Sequence, residues 1–177
     1  MLGLDRKIVE LVPYQEEWKT LFEREERLIR EAVGNFALAI EHIGSTAIPG
    51  LVAKPIIDIM VGVRDLSGVE KFLRAPLEKI GYEYRGEAGI AGRRYFRKGD
   101  FAVSTHHLTI AEKGGVIWRR HILFRDYLRA NEAAARSYNE LKKNLAIKFK
   151  DRREDYTNAK TGFVEEILLK AGFSEQN

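Results

Sequence analysis

One stretch of the chain concentrates the residue types that phosphate chemistry needs: His42-Ile43-Gly44-Ser45-Thr46-Ala47-Ile48-Pro49-Gly50-Leu51-Val52-Ala53-Lys54-Pro55-Ile56-Ile57-Asp58-Ile59. Gly44 lets the backbone approach a ligand closely. Ser45 and Thr46 bring hydroxyls and successive N–H groups that can hold a phosphate or a carboxylate. Lys54 adds a cation. Asp58 falls inside an aliphatic run, where an ionised carboxylate is costly unless a cation, a metal or several donors compensate it. Strand periodicity puts Asp58 and Met60 on one face and Ile57, Ile59 and Val61 on the other. By the same rule His42 goes with Leu38 and Ile40, and His107 with Thr109, while His106 and Leu108 point the opposite way. Were these strands neighbours, His42, Asp58 and His107 would converge on the Gly44–Thr46 loop. One Asp with two His is an incomplete metal set, and buried histidines also serve simply as hydrogen-bond partners.

These residues need strands to carry them, and the hydrophobic pattern supplies strands. Ile8–Val12, ahead of Pro13, reads as an edge strand. From Gln15 the spacing of Trp18, Leu21, Phe22, Leu28, Ile29 and Ala32 predicts a helix that Gly34 and Asn35 stop. Phe36–Ile43 and Ile56–Val63 are strands. Leu66–Ile80 is a helix with Ser67 as N-cap and Gly81 as terminator. Tyr82–Arg85 is a short strand. Glycines 86, 89, 92 and 99 surround Arg93–Lys98, which predicts a hairpin-like pair with a loop, followed by a strand from Phe101 to Ala111. Helices then run over Val116–Arg129, over Glu132–Phe149 behind the N-cap Asn131, and over Tyr156–Ala171, closed by Gly172. The order is not a strict βαβ alternation, so the expected class is α+β. The expectation is one domain over residues 1–177. It has a mixed sheet with helices packed on one face (1–111) and a C-terminal helical subdomain (112–177).

The chain has 177 residues, 45% of them hydrophobic and none of them cysteine, which excludes zinc-thiolate sites, iron–sulfur clusters and thiol catalysis. The longest apolar stretch, Ile48–Val63, is broken by Lys54 and Asp58, and MLGLDRKIVE lacks the apolar region of a signal peptide. No membrane partner is expected, and the expected compartment is the cytoplasm. Net charge is +4; residues 1–111 carry 16 basic and 16 acidic side chains, whereas residues 112–177 carry 14 against 10. The excess in the helical part suggests an anionic partner. Its interleaved acids, and the lack of an aromatic stripe, argue against nucleic acid.

The segment HIGSTAIPGLVAKPIIDI resembles the signature of the GrpB-like family, whose fold belongs to the nucleotidyltransferase superfamily. The resemblance extends from VPYQEEW at 12–18, through Arg94-Tyr95-Phe96 and Thr105-His106-His107-Leu108, to FRDYLRAN at 124–131 and YNELKKNLA at 138–146. It implies a Gly-Ser loop that holds phosphate, and a strand carboxylate at Asp58 that works through a divalent cation such as Mg²⁺. Family members fused to dephospho-coenzyme A kinase hint at nucleotide or coenzyme metabolism. The chain departs from the superfamily pattern at Met60, where a second carboxylate is usual. It departs again in Phe101–Ala111, which holds no Asp or Glu, and at Thr109, where the family often has a second His.

The expected ligand is therefore a nucleotide or another phosphorylated small molecule. Asp58 is the catalytic candidate, with His42 and His107 beside it as metal candidates. Gly44, Ser45, Thr46 and Lys54 are the phosphate contacts, joined by Arg94 and Arg125 as the cations that offset Met60. Three functions compete: nucleotidyl or phosphoryl transfer, a non-catalytic sensor of a phosphorylated ligand, and a nucleic-acid accessory module.

Overall fold

A computed structural model describes residues 2–175. Six strands form one mixed sheet: β1 (Leu4–Asp5), β2 (Ala39–Ile43), β3 (Ile57–Val63), β4 (Tyr82–Tyr84), β5 (Arg94–Gly99) and β6 (Val103–Glu112). Their order is β2-β3-β6-β5-β4, with β1 also pairing to β6. The β3–β6 pair is parallel and its neighbours are antiparallel. Strand β3 is covered on both faces, which is why it reads as a continuous aliphatic run.

Helix α1 (Glu17–Val33) lays Trp18, Ile29 and Val33 against Ile57, Ile59 and Val61 of β3 and against Leu108 and Ile110 of β6. It ends at Gly34, whose φ of 55° suits glycine. Helix α2 (Arg74–Lys79) adds Leu77 to the same core. Four more helices follow: α3 (Val116–Ala130), α4 (Glu132–Lys148), α5 (Arg153–Asn158) and α6 (Thr161–Lys170). Helix α3 covers the opposite face. Its Trp118 packs on Ile43 and Met60, and a Cβ at Gly62 would stand 2.7 Å from that indole. Leu128, Tyr138 and Ile167, from α3, α4 and α6, close over Ile48 and Leu51 of the β2–β3 connection.

The class is thus α+β with a mixed open sheet; α1 and α2 share one face, and α3, from the C-terminal helical part, covers the other. Other elements also differ from expectation. Residues 8–12 form no strand: Val9 N–H donates to Lys150 O, Val12 makes one bridge to Ala53, and the strand that joins β6 is the earlier Leu4–Asp5. The helix expected over Leu66–Ile80 opens with a π-helical turn at Val69–Leu73, because Pro76 can offer no N–H to the regular ladder. Ser67 turns its N–H and hydroxyl to Asp65 and does not cap. Asn131 donates its side-chain amide back to Tyr127 O rather than capping α4. The last helix is split into α5 and α6, and the poor helix formers Asn158 and Gly162 flank the break. Among the described residues, no helix is long and apolar enough to cross a membrane.

Candidate functional site

A cavity of about 830 Å³ opens on the sheet face away from α1 and α2. Its floor is the β3–β6 pair. Its walls are the turn after β2, strand β5, and side chains of α3, α4 and α5. The floor carries Asp58 and His107, which are register partners on parallel strands. Their side chains meet, with His107 Nδ1 3.0 Å from Asp58 Oδ1.

Gly44 is built for this carboxylate. Its φ is 71°, and a Cβ there would overlap Asp58 Oδ2. The chain then winds through one tight turn, Ser45–Ala47, which Lys142 supports from α4. Lys142 Nζ donates to Val52 O and lies 3.3 Å from Ser45 Oγ. Thr46 lines the cavity but is only 2% exposed, and its hydroxyl is engaged by His42 Nε2 at 3.0 Å and by Ile56 O at 3.4 Å.

Eight Lys or Arg side chains line this space against two carboxylates, Asp58 and Glu154. Arg85 and Arg97 are paired with Glu83. Arg6, Lys54, Arg93, Lys142, Arg153 and Lys160 form no ion pair among the described residues. The ammonium groups of Lys54 and Lys160 both lie over the Tyr156 ring, 5.5 and 4.4 Å from its centroid.

The crowding of like charges in a desolvated space shows in the titration of these groups. Burial, reinforced by Arg153 and Lys160, brings Lys54 down to about 7. Burial and Lys160 bring Lys142 to about 7 as well. Lys160 itself falls to about 8, through burial and Arg153, with Asp58 pulling the other way. Burial takes His121, on the cavity wall, down to about 4. At Asp58 desolvation acts to raise the pKa, but the His107 hydrogen bond and the charges of His107, Lys54 and His42 prevail and hold it below the usual carboxylate value.

Several residues chosen from the sequence are elsewhere. His42 pairs in register with Ile59, so its side chain lies on the α1 face, stacked on Phe22 at 4.7 Å, while Asp58 is opposite Ile43. The expected convergence of His42, Asp58 and His107 therefore does not form. Arg94, opposite Ile110 in register, also lies on the α1 face and bonds Glu70 at 3.0 Å and Glu87 at 3.3 Å. Arg125 is 7% exposed and ties α3 to β2, donating to Glu41 and Asp126 at 2.8 Å and to His42 O at 2.9 Å. The cations that do line the cavity include Lys142, Arg153 and Lys160. Lys142 was readable in principle: it sits four residues after Tyr138 on the apolar stripe of α4, where a charge is out of pattern.

The donor set does not fit a cation held by paired carboxylates. Asp58 Oδ1 is taken by His107, Met60 is fully buried, and the described residues contain no group of three or more His, Asp or Glu placed to hold a metal ion.

Fold and cavity together define an α+β protein with a mixed six-stranded sheet and a cationic cavity centred on one Asp–His pair. The chain belongs to the GrpB family, whose model, described as GrpB protein, matches residues 8–170. It is 44% identical over 171 residues to the glutamate-rich protein GrpB of Alkalihalophilus pseudofirmus, covering 95% of this chain and 98% of that one. The crystal structure of the conserved protein GrpB from Enterococcus faecalis superposes with a TM-score of 0.84 at 41% identity, covering 92% of this chain and 96% of that one. A stretch of 80 residues is 38% identical to a dephospho-CoA kinase of Mycolicibacterium paratuberculosis, covering 44% of this chain and 19% of the kinase.

Proposed function

We propose that the cavity binds a nucleotide or another phosphorylated small molecule, in a nucleotidyltransferase-like fold, and that the chain acts in nucleotidyl or phosphoryl transfer. One observation carries this reading: Lys54, Lys142, Lys160 and Arg153 line the same cavity as the Gly44–Ser45 turn, and none of them forms an ion pair among the described residues. Cations held together at that cost are explained by an anion that neutralises them on binding. Ser45, beside Lys142, is the hydroxyl placed to contact it. The partial match to a dephospho-CoA kinase adds support for a ligand of the nucleotide or coenzyme class.

The missing carboxylate pair favours a second reading, a sensor that keeps the pocket without turnover. A nucleic-acid module is disfavoured because the cations line a cavity of limited volume rather than an open face. The test is a thermal-shift and calorimetry panel of ATP, CTP, coenzyme A precursors and tripolyphosphate, each with and without Mg²⁺. A phosphorylated ligand should raise the melting temperature, with an affinity that falls as salt rises. Turnover of the bound ligand separates enzyme from sensor, and the absence of any shift across the panel would remove both.

A further inference from the structure

Anion binding does not account for the Asp58–His107 pair. A carboxylate hydrogen-bonded to Nδ1 holds the imidazole in the tautomer with the proton on Nδ1, fixes the ring, and leaves the lone pair on Nε2. Here Nδ1 is 3.0 Å from Asp58 Oδ1, and Nε2 has no hydrogen bond among the described residues. The ring is held further by Tyr95, 5.7 Å away between centroids, and His107 lines the cavity.

The other histidines lack this combination. His42 Nε2 is bonded to Thr46, and that ring faces away from the cavity. His106 Nδ1 is bonded to Thr105 on the α1 side of the sheet. His121 lines the cavity but has no carboxylate within ion-pair distance among the described residues.

The geometry points to His107 as a nucleophile that takes a phosphoryl group on Nε2 from a phosphorylated donor bound in the cavity. This rests on the reading of the cavity as a phosphorylated-ligand site. It also gives meaning to the misfit with a carboxylate-held metal, since a covalent histidine intermediate does not call for a second strand carboxylate at Met60.

The Nε2 lone pair attacks phosphorus. As the P–N bond forms, the bond from phosphorus to the leaving atom breaks, and its electron pair stays with that atom, which takes a proton from water or from a cavity ammonium. The Nδ1 proton stays in place against Asp58, a positioning residue whose negative charge balances the phosphorylated ring. Lys54 and Lys160, which line the same cavity and whose charges reach Asp58, neutralise the phosphoryl oxygens. A hydroxyl or water then attacks phosphorus, loses its proton to solvent, and returns the imidazole. Nothing is oxidised or reduced.

The test uses the full chain and phosphoramidate, a small phosphoryl donor that releases ammonia. Labelling is read by intact mass, peptide mapping and ³¹P NMR. The expected result is one acid-labile phosphoryl group on His107 Nε2, formed roughly tenfold faster than on any other histidine and blocked by excess tripolyphosphate. It should be absent in His107→Gln and slowed roughly tenfold in Asp58→Asn, with tripolyphosphate binding retained in both variants. Label spread evenly over the histidines, or found only on others, would overturn the proposal. Tripolyphosphate binding without labelling of His107 overturns the nucleophile alone. Loss of both results takes down the ligand reading with it.

Discussion

An ammonium group sealed among a carbonyl, a hydroxyl and a tyrosine ring loses its hydration, and no carboxylate compensates it. That is the position of Lys142, which is 1% exposed and lies 4.6 Å from the centroid of Tyr138. Its two hydrogen bonds, to Val52 O and Ser45 Oγ, offset part of the loss. Lys142→Met keeps much of the volume and removes the charge. It should leave the free protein unchanged or more stable by up to about 1 kcal/mol, while tripolyphosphate affinity drops roughly tenfold. Urea melts and calorimetry on the same preparation read the two effects separately. A large loss of stability with unchanged affinity would make Lys142 a structural residue. Gly44 is the converse case, because there the constraint is steric. Gly44→Ala forces a Cβ onto Asp58 Oδ2 at positive φ, and should cost about 1–3 kcal/mol as well as displacing the Asp58–His107 pair.

At the scale of elements, Arg125 shows what a single guanidinium does for packing. It joins α3 to β2 through Glu41 and His42 O, and is itself held by Asp126. Arg125→Ala should destabilise by about 1–3 kcal/mol, toward the low end because Glu41 and Asp126 remain partly in water. Tripolyphosphate affinity of the folded variant should match the unmodified chain, since Arg125 lies outside the cavity; a weakened affinity with unchanged melting would reverse the assignment. The residue looked like a phosphate ligand in the sequence because helix α3 has to pack on the sheet, and the sequence does not say where along the sheet it packs. The central strands were legible for the opposite reason. Ile57–Val63 and Val103–Glu112 have unbroken β-branched or alternating patterns, so the faces of Asp58 and His107 followed from a period of two. His42 obeyed the same periodicity, yet which of its faces met Asp58 depended on the antiparallel register with β3, a long-range property. The split between α5 and α6 likewise hinges on local breaks that a strong apolar stripe conceals.

For the molecule as a whole, the histidines and the cavity lysines make stability depend on pH with the same sign over two windows. His42, His106 and His121 are each pushed by burial to about 4, below the ordinary value near 6.5. Between those values the unfolded chain binds more protons than the folded one, so the histidines' contribution to stability is complete above pH 6.5 and drains away toward pH 4. Lys54 and Lys142 at about 7, and Lys160 at about 8, sit below the ordinary 10.5. Here too the unfolded chain holds the extra protons, so the free protein should gain stability as pH rises from about 7 toward 10. Anion binding must run the other way, because each lysine that loses its proton removes one charge that a phosphate would meet. Melting curves from pH 4.5 to 9.5, with and without tripolyphosphate, read both trends at once. The free protein should melt later with each step upward, while the increment due to tripolyphosphate shrinks above pH 7. A ligand increment that is flat across pH 7–9 would mean that the arginines alone hold the anion and that the three cavity lysines have some other part there.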